Sequence, residues 1–195
     1  MKYKKKPISN VLRSPKTVFT FKDISLIWGD TNRDTTIASI GHYVRTGQLF
    51  RIRRGIYTKD QNYNREELAT RIFTPSYISF ETVLGRSGVN FQYYSQIFVA
   101  SYLTREIIID NQTYSFKKIK DLLLANPSGI KHEEEFPIAT KERALLDTLY
   151  INKNYHFDNI GSLDWEKIFE ILPIYNNKRM IKEVNNLYTH FKSTK

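Results

Sequence analysis

The sequence predicts an α+β protein of two domains, a small basic one over residues 1–62 and a larger mixed α/β one over residues 63–195. Three observations lead there. Charge is concentrated: residues 1–64 hold 13 Lys plus Arg against 4 Asp, a balance of +9, whereas residues 65–195 hold 17 basic against 16 acidic residues. The first third runs through helical patterns into one arginine-rich hairpin pattern, and the remainder interleaves β-rich runs with helices, as layered α+β domains do. At 195 residues and 41% hydrophobic, the chain is long enough to bury a sizeable core.

The elements of the first domain follow in order. "ISNVLRS" after Pro7 is a short amphipathic stretch closed by Pro15. In "TVFTFKDISLIWGD", Thr20 is an N-cap, Phe21, Ile24, Ile27 and Trp28 recur at helical spacing, and Gly29 ends the helix. In "TNRDTTIASIGHYVRTG", Thr31 and Asp34 stand at capping-box spacing and Gly47 closes the segment. Ile37, Ile40 and Val44 share one face of this second helix and are expected inward. Thr35, Ser39, His42 and Thr46 share the opposite face and are expected outward.

"QLFRIRRGIYTK" then alternates Leu49, Arg51 and Arg53 with Phe50 and Ile52, turns at Arg54-Gly55 and resumes with Ile56, Tyr57 and Thr58. Helix, helix, helix and hairpin is the order of a winged helix-turn-helix. In that arrangement the hairpin arginines lie along a sugar-phosphate backbone or in the minor groove while the preceding helix faces base edges. The candidate DNA-contacting set is Lys4, Lys5, Lys6, Arg33, Thr35, Thr36, Ser39, His42, Tyr43, Arg51, Arg53 and Arg54. The bland alternative for Arg51 and Arg53 is the solvated side of a half-buried hairpin, and for the N-terminal lysines a solubilising tail.

The polar stretch "KDQNYN" at 59–64 is the expected domain joint. A helix starts near Asn64, with Leu68, Ile72 and Phe73 on its apolar side. "SYISFETVLGRSGV" reads as a strand and then a helix capped by Ser79 and ended by Gly88. "QIFVASYL" and "REIIIDNQTYSFKKI" are β-rich, the second broken by an Asp110-Asn111 turn. "GIKHEEEFPIATKERALLDTLYI" gives a strand pair and a helix opened by Thr140. Asp164 caps "WEKIFEIL", and Ile181, Val184, Leu187 and Phe191 line one side of a terminal helix.

Composition narrows the chemistry. Zero cysteines remove disulfides, thiolate metal sites and cysteine nucleophiles. No apolar run is long enough to cross a bilayer and the basic start lacks an apolar stretch behind it, so a soluble, cytoplasmic protein without membrane contact is expected. Glu133, Glu134 and Glu135 form the one acidic cluster, His132, His156 and His190 are scattered, and His42 has no ligand-spaced partner. No phosphate loop, nucleophile elbow or metal motif is present. A binding protein, with no catalytic residue, cofactor or metal, is therefore expected over an enzyme. The alternative is an RNA-binding or RNA-modifying enzyme that captures substrate on the basic domain and uses the acidic triplet.

Three stretches together, "RIRRGIYTK", "TPSYISFETVLGRSGV" and "FPIATKERALLDTLY", resemble the AbiEi family, the antitoxin and regulator component of AbiE-type, type IV toxin-antitoxin systems of abortive infection. The match runs from Thr17 to Ile151. Arg54, Gly55 and Tyr57 correspond to the family's wing motif, Tyr77, Ser79 and Leu84 to its second stretch, and Glu142, Arg143, Ala144, Leu145 and Asp147 to its helix motif. Relatives tend to carry small residues where this chain has Glu81-Thr82-Val83. The spacing of Arg143 and Asp147 suits an ion pair, with each other or with a neighbouring element, and a structural role. The resemblance implies a repressor that binds inverted repeats in its own promoter. It also implies a C-terminal domain that counteracts a nucleotidyltransferase-like toxin without a stable complex. An inverted repeat requires two protomers, either preassembled or monomeric when free and cooperative on double-stranded DNA.

Overall fold

The computed structural model describes residues 6–133 and 135–193, and the protein is of the mixed α+β class. The chain divides into two compact units, residues 1–72 and 73–195.

In the first unit, α1 (Ser9–Leu12), β1 (Val18–Thr20), α2 (Phe21–Trp28) and α3 (Arg33–Arg45) precede a hairpin of β2 (Phe50–Arg53) and β3 (Ile56–Thr58), and α4 (Arg65–Ile72) closes the unit. Thr20 opens α2 with a capping box: its hydroxyl accepts from Asp23 N–H at 3.1 Å while the Asp23 carboxylate accepts from Thr20 N–H at 2.8 Å. Gly29 ends the helix at φ 58°, the left-handed conformation that a Cβ disfavours. Asn32, rather than Thr31, caps α3, because its Oδ1 reaches the N–H groups of Asp34 and Thr35 at 3.0 and 3.1 Å.

Val18–Thr20, expected only as the approach to a helix, is a strand. It pairs antiparallel with β3, giving the order β1-β3-β2. The core of the unit gathers Val11, Phe19, Ile24, Trp28, Ile40, Tyr43 and Leu49. Two polar atoms of these rings tie down the N-terminal segment: Trp28 Nε1 donates to Pro7 O at 3.0 Å, and the Tyr43 hydroxyl donates to Lys6 O.

The domain joint expected at 59–64 lies instead after α4. The cause is Glu67, 2% exposed, whose Oε2 accepts from Thr17 N–H at 2.8 Å, the Thr17 hydroxyl at 2.7 Å and Val18 N–H at 3.2 Å. These charge-assisted bonds hold α4 onto β1, so the helix folds with the basic unit. Asn64 caps it as the sequence suggests, accepting from Glu66 and Glu67 N–H.

The second unit is built on a six-stranded mixed sheet from β4 (Ser76–Ile78), β5 (Ile97–Ser101), β6 (Arg105–Ile109), β7 (Gln112–Lys118), β8 (Ile130–Glu133) and β9 (Phe136–Ala139). The order is β6-β7-β5-β4-β9-β8, with β4–β9 and β5–β7 parallel and the other pairs antiparallel. β4 and β5 are buried along their whole length, Ser76 and Ser101 included, and the apolar run Ile97–Ala100 of β5 suits a strand covered on both faces. Asp110 and Asn111, both at positive φ, turn β6 into β7. The helices are α5 (Glu81–Arg86), α6 (Asp121–Leu124), α7 (Lys141–Ile151), α8 (Trp165–Ile171) and α9 (Lys178–Ser193), with a 3-10 turn at Leu172–Tyr175. Thr140 and Asp164 cap α7 and α8.

Ser79 does not cap α5. Phe80, at φ 55°, occupies that position without a side-chain cap, and the Ser79 hydroxyl donates to Asp147 Oδ2 at 2.8 Å. Asp147 also accepts from the Tyr77 and Tyr175 hydroxyls at 2.9 and 2.6 Å, and from Arg143 Nε at 3.1 Å. Arg143 and Asp147 are both 0% exposed. The guanidinium spends its remaining donors on the Tyr77 oxygen and on the carbonyls of Leu123, Ser128 and Asn126. Burial weakens the guanidinium's hold on its proton, but the Asp147 charge together with the neighbouring Tyr175 and Tyr77 outweighs this and the group's pKa is raised. Burial first and the same negative charge second push the Tyr77 and Tyr175 hydroxyls well up, so both remain neutral donors. At Glu81-Thr82-Val83, Glu81 pairs with Lys117 at 3.2 Å and Thr82 Oγ1 accepts from Phe98 N–H at 2.7 Å, so the polar residues are satisfied where they stand.

Candidate nucleic-acid interface

The side chains of α3 divide differently from the sequence expectation. Thr36, Ser39, Ile40 and Tyr43, spaced i, i+3, i+4 and i+7, face the core at 7% exposure or less. Thr36, Ser39 and Tyr43 are therefore interior residues and not groove-facing ones. The helix is turned because Tyr43 satisfies two requirements at once, packing its ring at 6.1 Å from Trp28 and donating its hydroxyl to a backbone carbonyl. Ile37, expected inward, is 48% exposed. Asp34, Ala38 and Arg45 are exposed beside it, and Gly41 is half-buried.

The other expected contacts are distributed around this face. Arg33 is exposed at the start of α3, with its guanidinium 5.8 Å from the Phe21 ring centre. Thr35 and His42 are half-buried on the flank, His42 lying edge-on to Tyr43 at 5.3 Å. Lys6 is half-buried and 3.9 Å from Asp30. Lys4 and Lys5 lie outside the described residues.

The hairpin leaves the end of α3 directly. Gln48 and Leu49 N–H both donate to Tyr43 O, at 2.9 and 3.1 Å, and Leu49 is buried in the same core. On β2, Phe50 and Ile52 are half-buried while Arg51 and Arg53 are exposed, and Arg54 is exposed at the turn. Gly55 makes that turn at φ 78°. Between Arg51 and Arg53 the register slips, Arg51 facing Tyr57 and Arg53 facing Ile56, which leaves Ile52 as the extra residue of a bulge. Two of the four aspartates of the basic segment are engaged by lysines, Asp30 by Lys6 and Asp23 by Lys16, the latter at 2.6 Å. The other two aspartates of residues 1–64, Asp34 and Asp60, are exposed, and the segment keeps its balance of +9.

In the second unit, a cleft of about 500 Å³ is lined by Arg86, Lys131, Glu133, Lys141, Glu142, Asp164 and Lys167 among others. Its charges are largely spent on the fold: Lys167 pairs with Asp164 at 3.2 Å, Lys141 donates to Ser162 O, and Glu142 Oε1 accepts from Asp164 N–H at 3.3 Å. Of the acidic triplet, Glu133 is exposed on β8, Glu135 is half-buried in the turn and Glu134 lies outside the described residues. Among the described residues no three His, Asp or Glu side chains converge as a metal-binding set. No helix among them is long and apolar enough to cross a membrane.

The fold and site define a two-unit α+β protein whose first unit is a basic helical assembly with an arginine-bearing hairpin. Compared with models of known protein families and with curated proteins, the chain matches none.

The spatial link that sequence reading missed joins two of the quoted stretches. Tyr77 and Ser79 of one meet Arg143 and Asp147 of the other, with Tyr175 as a fifth member. Only the i,i+4 spacing of Arg143 and Asp147 signalled it.

Proposed function

We propose that the first unit is a winged helix-turn-helix that binds double-stranded DNA, with α3 as the groove-facing helix and the β2–β3 hairpin as the wing. On this reading the chain is a cytoplasmic transcriptional repressor and antitoxin of the AbiEi kind. It binds inverted repeats in its own promoter, and its second unit counteracts a nucleotidyltransferase-like toxin without a lasting complex. The observation that carries the reading is the exposure of Arg51, Arg53 and Arg54 on a hairpin that springs from the end of a helix with an open outer face. Cations so placed suit phosphate contacts, while the helix is free to meet base edges. The network joining Tyr77, Ser79, Arg143 and Asp147 gives the residues that resemble the family a common structural purpose in the second unit.

Mobility shifts with the DNA upstream of the gene, at a series of salt concentrations, test the first half. Specific binding weakens steeply with salt, and each phosphate contact adds about 0.9 to the slope of log K against log salt. Replacing all three arginines with Ala is expected to weaken binding and to flatten that slope by about 3. Equal affinity for scrambled duplex, or an unchanged slope in the triple variant, refutes the reading. The antitoxin half is tested by rescue of growth when the neighbouring gene's product is expressed.

A further inference from the structure

The outer face of α3 is apolar at its centre and charged at its edges. Ile37 is 48% exposed and Ala38 is exposed next to it, while Gly41, one turn on, has no side chain and leaves room for the Arg45 guanidinium, which comes within 3.8 Å of where a Cβ would stand. Arg33 and Arg45 stand exposed towards the two ends, with Asp34 in the first turn. The Ile37 side chain has neither donor nor acceptor, so it cannot read the hydrogen-bonding pattern of a base edge. The one base-edge feature in the major groove complementary to it is the C5-methyl group of thymine. Charge complementarity selects the occupant of this face: Arg33 and Arg45 bracket the apolar centre along the helix, and residues 1–64 carry a balance of +9, which suits a polyanion and not an apolar protein surface.

Resting on the reading of α3 as the groove-facing helix, we infer that Ile37 is a specificity-determining residue that packs against a thymine methyl group, with Arg33 and Arg45 directed to the flanking phosphates. Thr35 and His42, half-buried on the flank, take no part in this contact.

The experiment selects tightly bound duplexes from a randomised pool with the full chain. Each thymine of the selected site is then replaced with deoxyuridine, which removes only the methyl group. One buried methyl group corresponds to about fourfold in affinity. The expected result is a loss of about that size at one or two thymines per half-site. Ile37→Ala should bind the thymine site more weakly and lose the distinction between thymine and uracil. Arg45→Ala should bind more weakly while keeping it. Because Ile37 is half exposed, the Ala variant should retain the wild-type urea midpoint, which separates a contact effect from misfolding. Insensitivity to uracil at every position, or undiminished sensitivity in Ile37→Ala, overturns the inference while leaving salt-dependent DNA binding intact. Failure to select any sequence overturns the DNA reading itself and this inference with it.

Discussion

Replacing Arg143 with Met removes the cation from the second unit's buried network while keeping side-chain length. In the native protein Arg143 and Asp147 are both 0% exposed and 3.1 Å apart, and the guanidinium also serves the carbonyls of Leu123 and Ser128, each at 2.7 Å. The variant leaves Asp147 charged among three hydroxyls, with no counter-charge, and leaves those two carbonyls without their donor. Breaking a buried pair from one side costs about 3–5 kcal/mol, and the orphaned carbonyls push the cost to the upper end. A domain's whole stability is about 5–15 kcal/mol, so the second unit should be left marginal. With a urea dependence of about 2 kcal/mol per M, the midpoint should fall by about 2 M. The protein has two tryptophans, so Trp28→Phe leaves Trp165 as the fluorescent reporter of this unit. Adding Asp147→Leu should recover part of the loss, because the lone buried charge goes, but not all, because Tyr77, Ser79 and Tyr175 lose their shared acceptor. A midpoint within about 0.5 M of the parent for Arg143→Met, a cost near 1 kcal/mol, would refute the assignment of the network as the unit's structural clamp.

Three further outcomes are expected. Gly129 sits at φ 72°, and a Cβ there would lie 2.8 Å from Arg143 Cβ and from Ile171 Cδ1. Gly129→Ala should therefore cost about 2–4 kcal/mol, whereas Gly55→Ala, at φ 78° but with open space around it, should cost about 1 kcal/mol; equal midpoint shifts in urea would contradict the steric argument. Burial raises the Asp23 carboxyl, but hydrogen bonds from Lys16 and Thr20 outweigh it and hold the group below its ordinary value. A depressed carboxyl stabilises above its unfolded pKa, about 3.9, and the advantage disappears as pH falls through the folded value. In a Trp165→Phe background, where Trp28 reports the first unit, the stability gap between the parent and Asp23→Asn should be full at pH 6 and shrink below about pH 4. Thr36 is 0% exposed and its Oγ1 has no hydrogen-bond partner among the described residues, so Thr36→Val should raise the first unit's stability by about 1 kcal/mol, read as a higher thermal midpoint.

Much of the secondary structure was legible because its causes are local. Thr20, Asn64, Thr140 and Asp164 cap their helices as their positions suggest, and Gly55 and Asp110-Asn111 turn their hairpins, since each acts on partners within a few residues. The rotation of α3 was not legible. Its apolar residues are few, and both Ile37 and Ile40 suit an inward face when read alone. The orientation is decided by Tyr43, whose ring meets Trp28 and whose hydroxyl meets Lys6 O, 37 positions earlier in the chain. Ser79 reads as a helix cap for the same reason: its actual partner, Asp147, is 68 positions away.

The sequence by itself determined the α+β class, the crowding of positive charge into the first third and the placing of three arginines on one hairpin, because composition and short-range patterning are properties of neighbours along the chain. The tertiary structure alone decided that Val18–Thr20 is a strand, that Glu67 draws α4 into the basic unit, and that Ile37, not Ser39, looks outward. Those outcomes turn on hydrogen bonds and ring contacts between residues far apart in sequence, and a buried polar group takes whichever partner the fold brings within reach.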